Sequence, residues 1–100
     1  MNVYKYIEGV VRSEIERLAA AEKLPAGLDF SRVSVEPTRD PEHGDLATNA
    51  AMVLAKDCAM LPRDLAALLA EGVAVHDQIA SAQVAGPGFV NLRLEATFWR

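Results

Sequence analysis

The sequence predicts a single two-layer α+β domain in which about three helices cover one side of a small, mainly antiparallel sheet of three or four strands. Three observations carry that expectation. Apolar residues recur at helical spacing through Val3, Ile7, Val10, Val11, Ile15 and Leu18. Segments 32–36 and 89–95 instead alternate apolar with polar. Between two strand-like runs near the end lies Gly86-Pro87-Gly88, a turn signal. At 100 residues the chain is one domain, 1–100, and its 51% hydrophobic and 24% charged residues are those of a chain that folds.

Taken in order, the first helix runs from Val3 to Leu24, with Asn2 as its cap, Glu8, Arg12 and Glu16 on a solvated face, and Pro25-Ala26-Gly27 ending it. Gly9 weakens the helix interior, and close packing is the expected reason. Arg32 to Glu36 forms a short strand with Val33 and Val35 on one face, stopped by Pro37. The two prolines and the glycine of Pro37–Asp45 require a loop. Asp45 or Thr48 then caps a second helix whose inward face holds Leu46, Ala50, Ala51, Val53, Leu54 and Cys58, although a fourth short strand near the 37–48 loop is an open alternative. Pro62 opens a third helix, with Leu65, Leu68, Leu69 and Val73 as its stripe, reaching about Gly72.

The last quarter reads as strand, turn, strand. Segments 79–85 and 89–95 flank a turn with Pro87 at its second position and Gly88 at its third. Period two divides the final strand into an inner face of Val90, Leu92 and Leu94 and an outer face of Phe89, Asn91, Arg93 and Glu95. The outer face offers a ring for stacking, an amide matching a base edge and a guanidinium for phosphate, the three groups that reading an unstacked nucleotide requires. The pattern equally suits a Phe89 packed on the sheet rim beside ordinary surface residues.

Lys and Arg number 10 against 14 Asp and Glu, for a formal net charge of −4, which excludes sequence-independent coating of nucleic acid by a basic surface. From Gln78 to Leu94 there is no carboxylate, so the acidic residues flank the proposed reading strand at Asp77 and Glu95. A lone Cys58 rules out an internal disulfide and fits a reducing, cytoplasmic setting, with the thiol expected buried. Charge enters the first residues too early for a signal peptide, and no run approaches the roughly 20 apolar residues of a membrane span. His43, His76 and Cys58 lack metal-ligand spacing, so no metal site is expected.

Two blocks carry a resemblance. His43-Gly44-Asp45-Leu46-Ala47-Thr48-Asn49-Ala50-Ala51, preceded by Pro37 and followed by Leu54-Ala55-Lys56 and Pro62-Arg63, and then Ala85-Gly86-Pro87-Gly88-Phe89-Val90-Asn91-Leu92, together resemble the amino-terminal additional domain of arginyl-tRNA synthetase across essentially the whole chain. The resemblance implies an α+β module ahead of a catalytic domain, contacting the D-loop of the tRNA for arginine. It implies that Phe89 and Asn91 meet the exposed nucleotide, with Arg93 a phosphate neighbour on the bottom-up reading alone. Gly86, Pro87 and Gly88 are turn scaffold, and Gly86 stands where some relatives carry a further amide.

The resemblance also implies what lies elsewhere. The family's ATP signature of His-x-Gly-His type and its Lys-rich loop do not occur here, so this chain is not expected to aminoacylate. ATP and Mg belong to the parent ligase, and Phe98-Trp99-Arg100 is expected where a catalytic domain would begin. Gly86-x-Gly88 lacks a third glycine and precedes a strand, so it is no dinucleotide loop. His43 beside Asp45 is better explained by turn and cap than by acid–base chemistry, and Lys56 and Arg63 by solvated charge. Two other classes stay open: a free-standing protein-interaction module using the Ala-rich helices, and a small-ligand domain using the Gly-Pro-Gly turn.

Overall fold

The computed structural model describes residues 2–99. Met1, Arg100 and the side chain of Trp99 lie outside the described residues, and with them part of the terminal Phe98-Trp99-Arg100 group. Helix α1 (Val3–Ala20) is capped by Asn2, whose side-chain oxygen accepts the N–H groups of Tyr4 and Lys5 at 3.0 and 3.2 Å. It ends earlier than the expected Leu24. Lys23 N–H reaches Leu18 O and Glu22 N–H reaches Ala19 O, with Glu22 in the left-handed region at φ 62°, so the chain closes a Schellman-type motif before Pro25-Ala26-Gly27. Gly9 is not tightly packed; a Cβ there would meet nothing within 4 Å.

The inner stripe of α1 buries Ile7, Val11, Ile15 and Leu18, as its spacing predicts, and also Glu14. That carboxylate accepts a fork from Arg17, Nε to Oε1 at 2.9 Å and Nη2 to Oε2 at 2.7 Å. It lies against α3 (Pro62–Val73) at Gly72, where a Cβ would fall 2.0 Å from Glu14 Oε2. The absent side chain is what lets the two helices approach.

Strand β1 is Val35–Pro37, shifted from the expected 32–36, because Val33 N–H closes a turn on Phe30 O and holds residues 30–33 out of the sheet. Leu46–Thr48 is not the start of a helix but strand β2, the fourth strand left open by the sequence. Helix α2 is accordingly short, Ala50–Leu54, with Ala50, Ala51 and Leu54 buried, Val53 half-buried and Cys58 outside it. Strands β3 (Ile79–Ala85) and β4 (Phe89–Leu94) form the expected hairpin. The sheet is antiparallel throughout, in the order β1-β2-β4-β3. Pro37, which has no N–H, therefore ends an edge strand, where a missing ladder bond is tolerated. Val90, Leu92 and Leu94 are 1%, 0% and 4% exposed, so the inner face of β4 is core. Ala50, Ala51, Ala66 and Ala70 are buried too, so the Ala-rich faces of α2 and α3 pack inward.

Candidate nucleic-acid interface

The antiparallel register places Glu36, Ala47, Asn91 and Gln83 in one row across all four strands. On one side of Asn91 the neighbour is thus the Ala47 methyl group, which offers the amide no hydrogen bond. Among the described residues nothing hydrogen-bonds to the Asn91 side chain, which is half-buried. Phe89, one same-face position before it, is 37% exposed. Both line a groove of about 670 Å³ whose other wall is the loop residues Thr38, Arg39, Asp40 and His43. The outer face of β4 combines an open ring with an amide free to donate and accept.

The hairpin turn fixes where the ring begins. Gly88 N–H donates to Ala85 O at 3.3 Å, so Gly86 and Pro87 are the central pair and Gly88 is fourth, one position out of the expected register. Gly86 takes φ 54°, the left-handed value that position then needs, whereas Pro87 at the second central place keeps its own fixed φ. Gly88 is buried: a Cβ would stand 2.8 Å from Pro62 Cβ and 3.0 Å from Met52 Cγ. The Arg63 guanidinium donates to Gly86 O, so it is not merely solvated charge. The turn is seated on the start of α3, and Phe89 follows from that seat.

Within the His43–Ala51 block, Gly44, Asp45, Thr48 and Asn49 hold the framework together. Gly44 adopts φ 130° and touches the backbone of β4, where a Cβ would lie 2.9 Å from Leu92 O. Asp45 does not cap a helix; its N–H donates to Leu92 O at 2.8 Å and its carboxylate accepts Leu94 N–H at 2.8 Å, prolonging the β2–β4 ladder. Thr48 Oγ1 donates to Ser34 O at 2.9 Å and accepts Ala50 N–H at 3.2 Å, but the N-cap position of α2 is Asn49, so neither Asp45 nor Thr48 is the expected cap. Asn49 clamps the chain before β1, accepting Ser34 N–H at 2.7 Å and donating to Arg32 O at 3.0 Å.

Arg93 is exposed on the outer face, and its Nη2 donates to Pro41 O and Glu42 O at 3.2 and 3.0 Å. Both acceptors belong to a single 3-10 turn, Pro41–His43, inside the loop. His43 is exposed there and shares no hydrogen bond with Asp45. Cys58 is half-buried rather than buried, and its thiol pKa is raised, first by desolvation and then by Asp57. The loop wall was invisible to strand periodicity, since only the β2–β4 register brings it beside Phe89 and Asn91. Among the described residues no three His, Cys, Asp or Glu side chains are grouped to hold a metal ion, and no helix is long and apolar enough to cross a membrane.

Comparison with known proteins follows the same residues. The family described as "Arginyl tRNA synthetase N terminal domain" matches residues 5–94. The chain is 51% identical over 100 residues to an arginine–tRNA ligase of Parvibaculum lavamentivorans and 54% identical over 100 residues to one of Cereibacter sphaeroides. It is covered completely in each, yet spans only 17% of the relative's length. Its fold is shared with two solved structures: an arginyl-tRNA synthetase of Thermus thermophilus, TM-score 0.70 at 18% identity over 97% of this chain and 15% of that one, and one of Plasmodium falciparum, TM-score 0.75 at 12% identity over 96% and 16%.

Proposed function

Because the chain belongs to the arginyl-tRNA synthetase N-terminal domain family, we propose that it recognises the D-loop of the tRNA for arginine on behalf of a ligase whose catalytic portion lies outside these 100 residues. The observation that carries this reading is the outer face of β4, where an open Phe89 ring and an unengaged Asn91 amide share one groove. Phe89 stacks on an extruded base and Asn91 pairs with its edge, while Gly86, Pro87 and Gly88 set the start of the strand. Joining arginine to the tRNA, with the ATP and Mg this requires, belongs to the remainder of the ligase, in a cytoplasmic setting.

A net charge of −4 agrees with this division, since a local stacking and hydrogen-bonding contact does not need a basic surface. The experiment is tRNA charging by the full-length protein carrying Phe89→Leu, which keeps apolar bulk but removes the ring, or Asn91→Ala. Each lowers kcat/KM for the tRNA by about 5- to 100-fold, the range of one stacked base or one base-edge contact. A D-loop base swap then costs wild type more than Asn91→Ala. Unchanged charging by both variants defeats the reading.

A further inference from the structure

The loop Thr38–His43 forms one wall of the Phe89–Asn91 groove, and most of its ties are local. Thr38 Oγ1 donates to Gly44 O at 2.6 Å, Asp40 accepts Glu42 N–H at 3.0 Å, and His43 N–H donates to Asp40 O at 2.9 Å. Each closes a turn within the loop and none fixes its tip against the sheet. Arg93 does that, reaching Pro41 O and Glu42 O from 52 and 51 residues away. Its Nη2 is therefore engaged with carbonyl oxygens before any ligand arrives.

The groove's own charges argue in the same direction. Its ionisable lining consists of Arg39 and His43 with Glu36 and Asp40, so one permanent cation faces two carboxylates. That is poor surrounding for a phosphate and acceptable surrounding for a base edge. Resting on the D-loop reading, we propose that Arg93 is a positioning residue: it braces the Thr38–His43 wall beside Phe89 and Asn91, and the braced wall meets the base rather than the RNA backbone.

Two measurements on the full-length protein test this. In Arg93→Ala, amide exchange across residues 38–45 becomes faster, and tRNA affinity falls about 3- to 10-fold, on the order of one lost hydrogen bond. The slope of log affinity against log salt stays at the wild-type value. A phosphate contact at Arg93 would instead lower that slope by about 0.7–0.9, and this result overturns the proposal. Unchanged exchange across 38–45 overturns the brace, and faster exchange with unchanged affinity overturns the wall's part in binding. Phe89→Leu and Asn91→Ala, run alongside, separate the two levels. If neither weakens binding, the D-loop reading fails; if they weaken it and Arg93→Ala does not, only the proposal for Arg93 fails.

Discussion

The carboxylate of Asp45 accepts the backbone N–H of Leu94 at 2.8 Å, across 49 residues of chain. Together with Asp45 N–H on Leu92 O, it continues the β2–β4 ladder past the point where β2 ends. A side chain here performs the work of a backbone carbonyl.

Asp45→Ala leaves the Leu94 N–H, in a part-buried position, without its acceptor and destabilises the chain by about 1–3 kcal/mol. Asp45→Asn, whose amide oxygen still accepts, keeps more than half of that. Urea denaturation of the chain measures both, and equal losses would show that the carboxylate's charge, not its acceptor, matters.

Gly88→Ala meets two obstacles, φ 152° and a Cβ only 2.8 Å from Pro62 Cβ. The expected loss is about 1–3 kcal/mol, as for other overpacked sites, with a displaced Phe89. Gly86→Asn is the comparison: a Cβ there is 3.8 Å from Phe89 Cδ2, and Asn tolerates φ 54° better than other side chains, so thermal unfolding shifts less.

Two substitutions, one within α1 and one just past its end, stabilise. Glu22 holds φ 62° at the end of the Schellman-type motif, and Glu22→Gly removes that strain, adding about 0.5–1 kcal/mol. Gly9→Ala fills open space in the helix interior and adds up to about 1 kcal/mol. A lowered melting temperature for either variant contradicts the assignment.

Asp29 sets a small acid sensitivity. The Ser31 N–H donates to its Oδ1 at 2.9 Å, and this bond, with the Ser31 hydroxyl second, holds the carboxyl below its ordinary range. Because the folded pKa is the lower one, the contribution is fully present above the ordinary aspartate range and is lost as pH falls through the folded value. Asp29→Asn therefore has a shallower decline of stability with acid than wild type, read from denaturation midpoints in that range.

Much of this was legible in the chain because local rules and tertiary structure agreed. The α1 stripe, Pro62 at the head of α3 and the two faces of β4 are all consequences of periodicity. Strand β2 was ambiguous for a physical reason: three residues give too little alternation, and Leu46 also fits a helical stripe with Ala50, Val53 and Leu54. Its identity comes from β4, which supplies its ladder partners. The end of α1 escapes a sequence reading because a Glu in the left-handed region leaves no local signature, whereas Pro25 and Gly27 beyond it do. In the site, Phe89 and Asn91 could be found on one strand face, but the brace from Arg93 to Pro41 and Glu42 joins segments that no local pattern relates.

The strand order has a consequence for synthesis. β4, an inner strand paired with both β2 and β3, is also the last of the sheet's four strands to be synthesised. Until Leu94 has emerged, the nascent chain holds β1 and β2 only as an isolated pair, which is marginal in water. Helices α1 to α3 meanwhile have no completed sheet on which to bury their apolar faces. The domain therefore closes late and all at once, and a pause in translation before Phe89 prolongs the time those faces are open to chaperones.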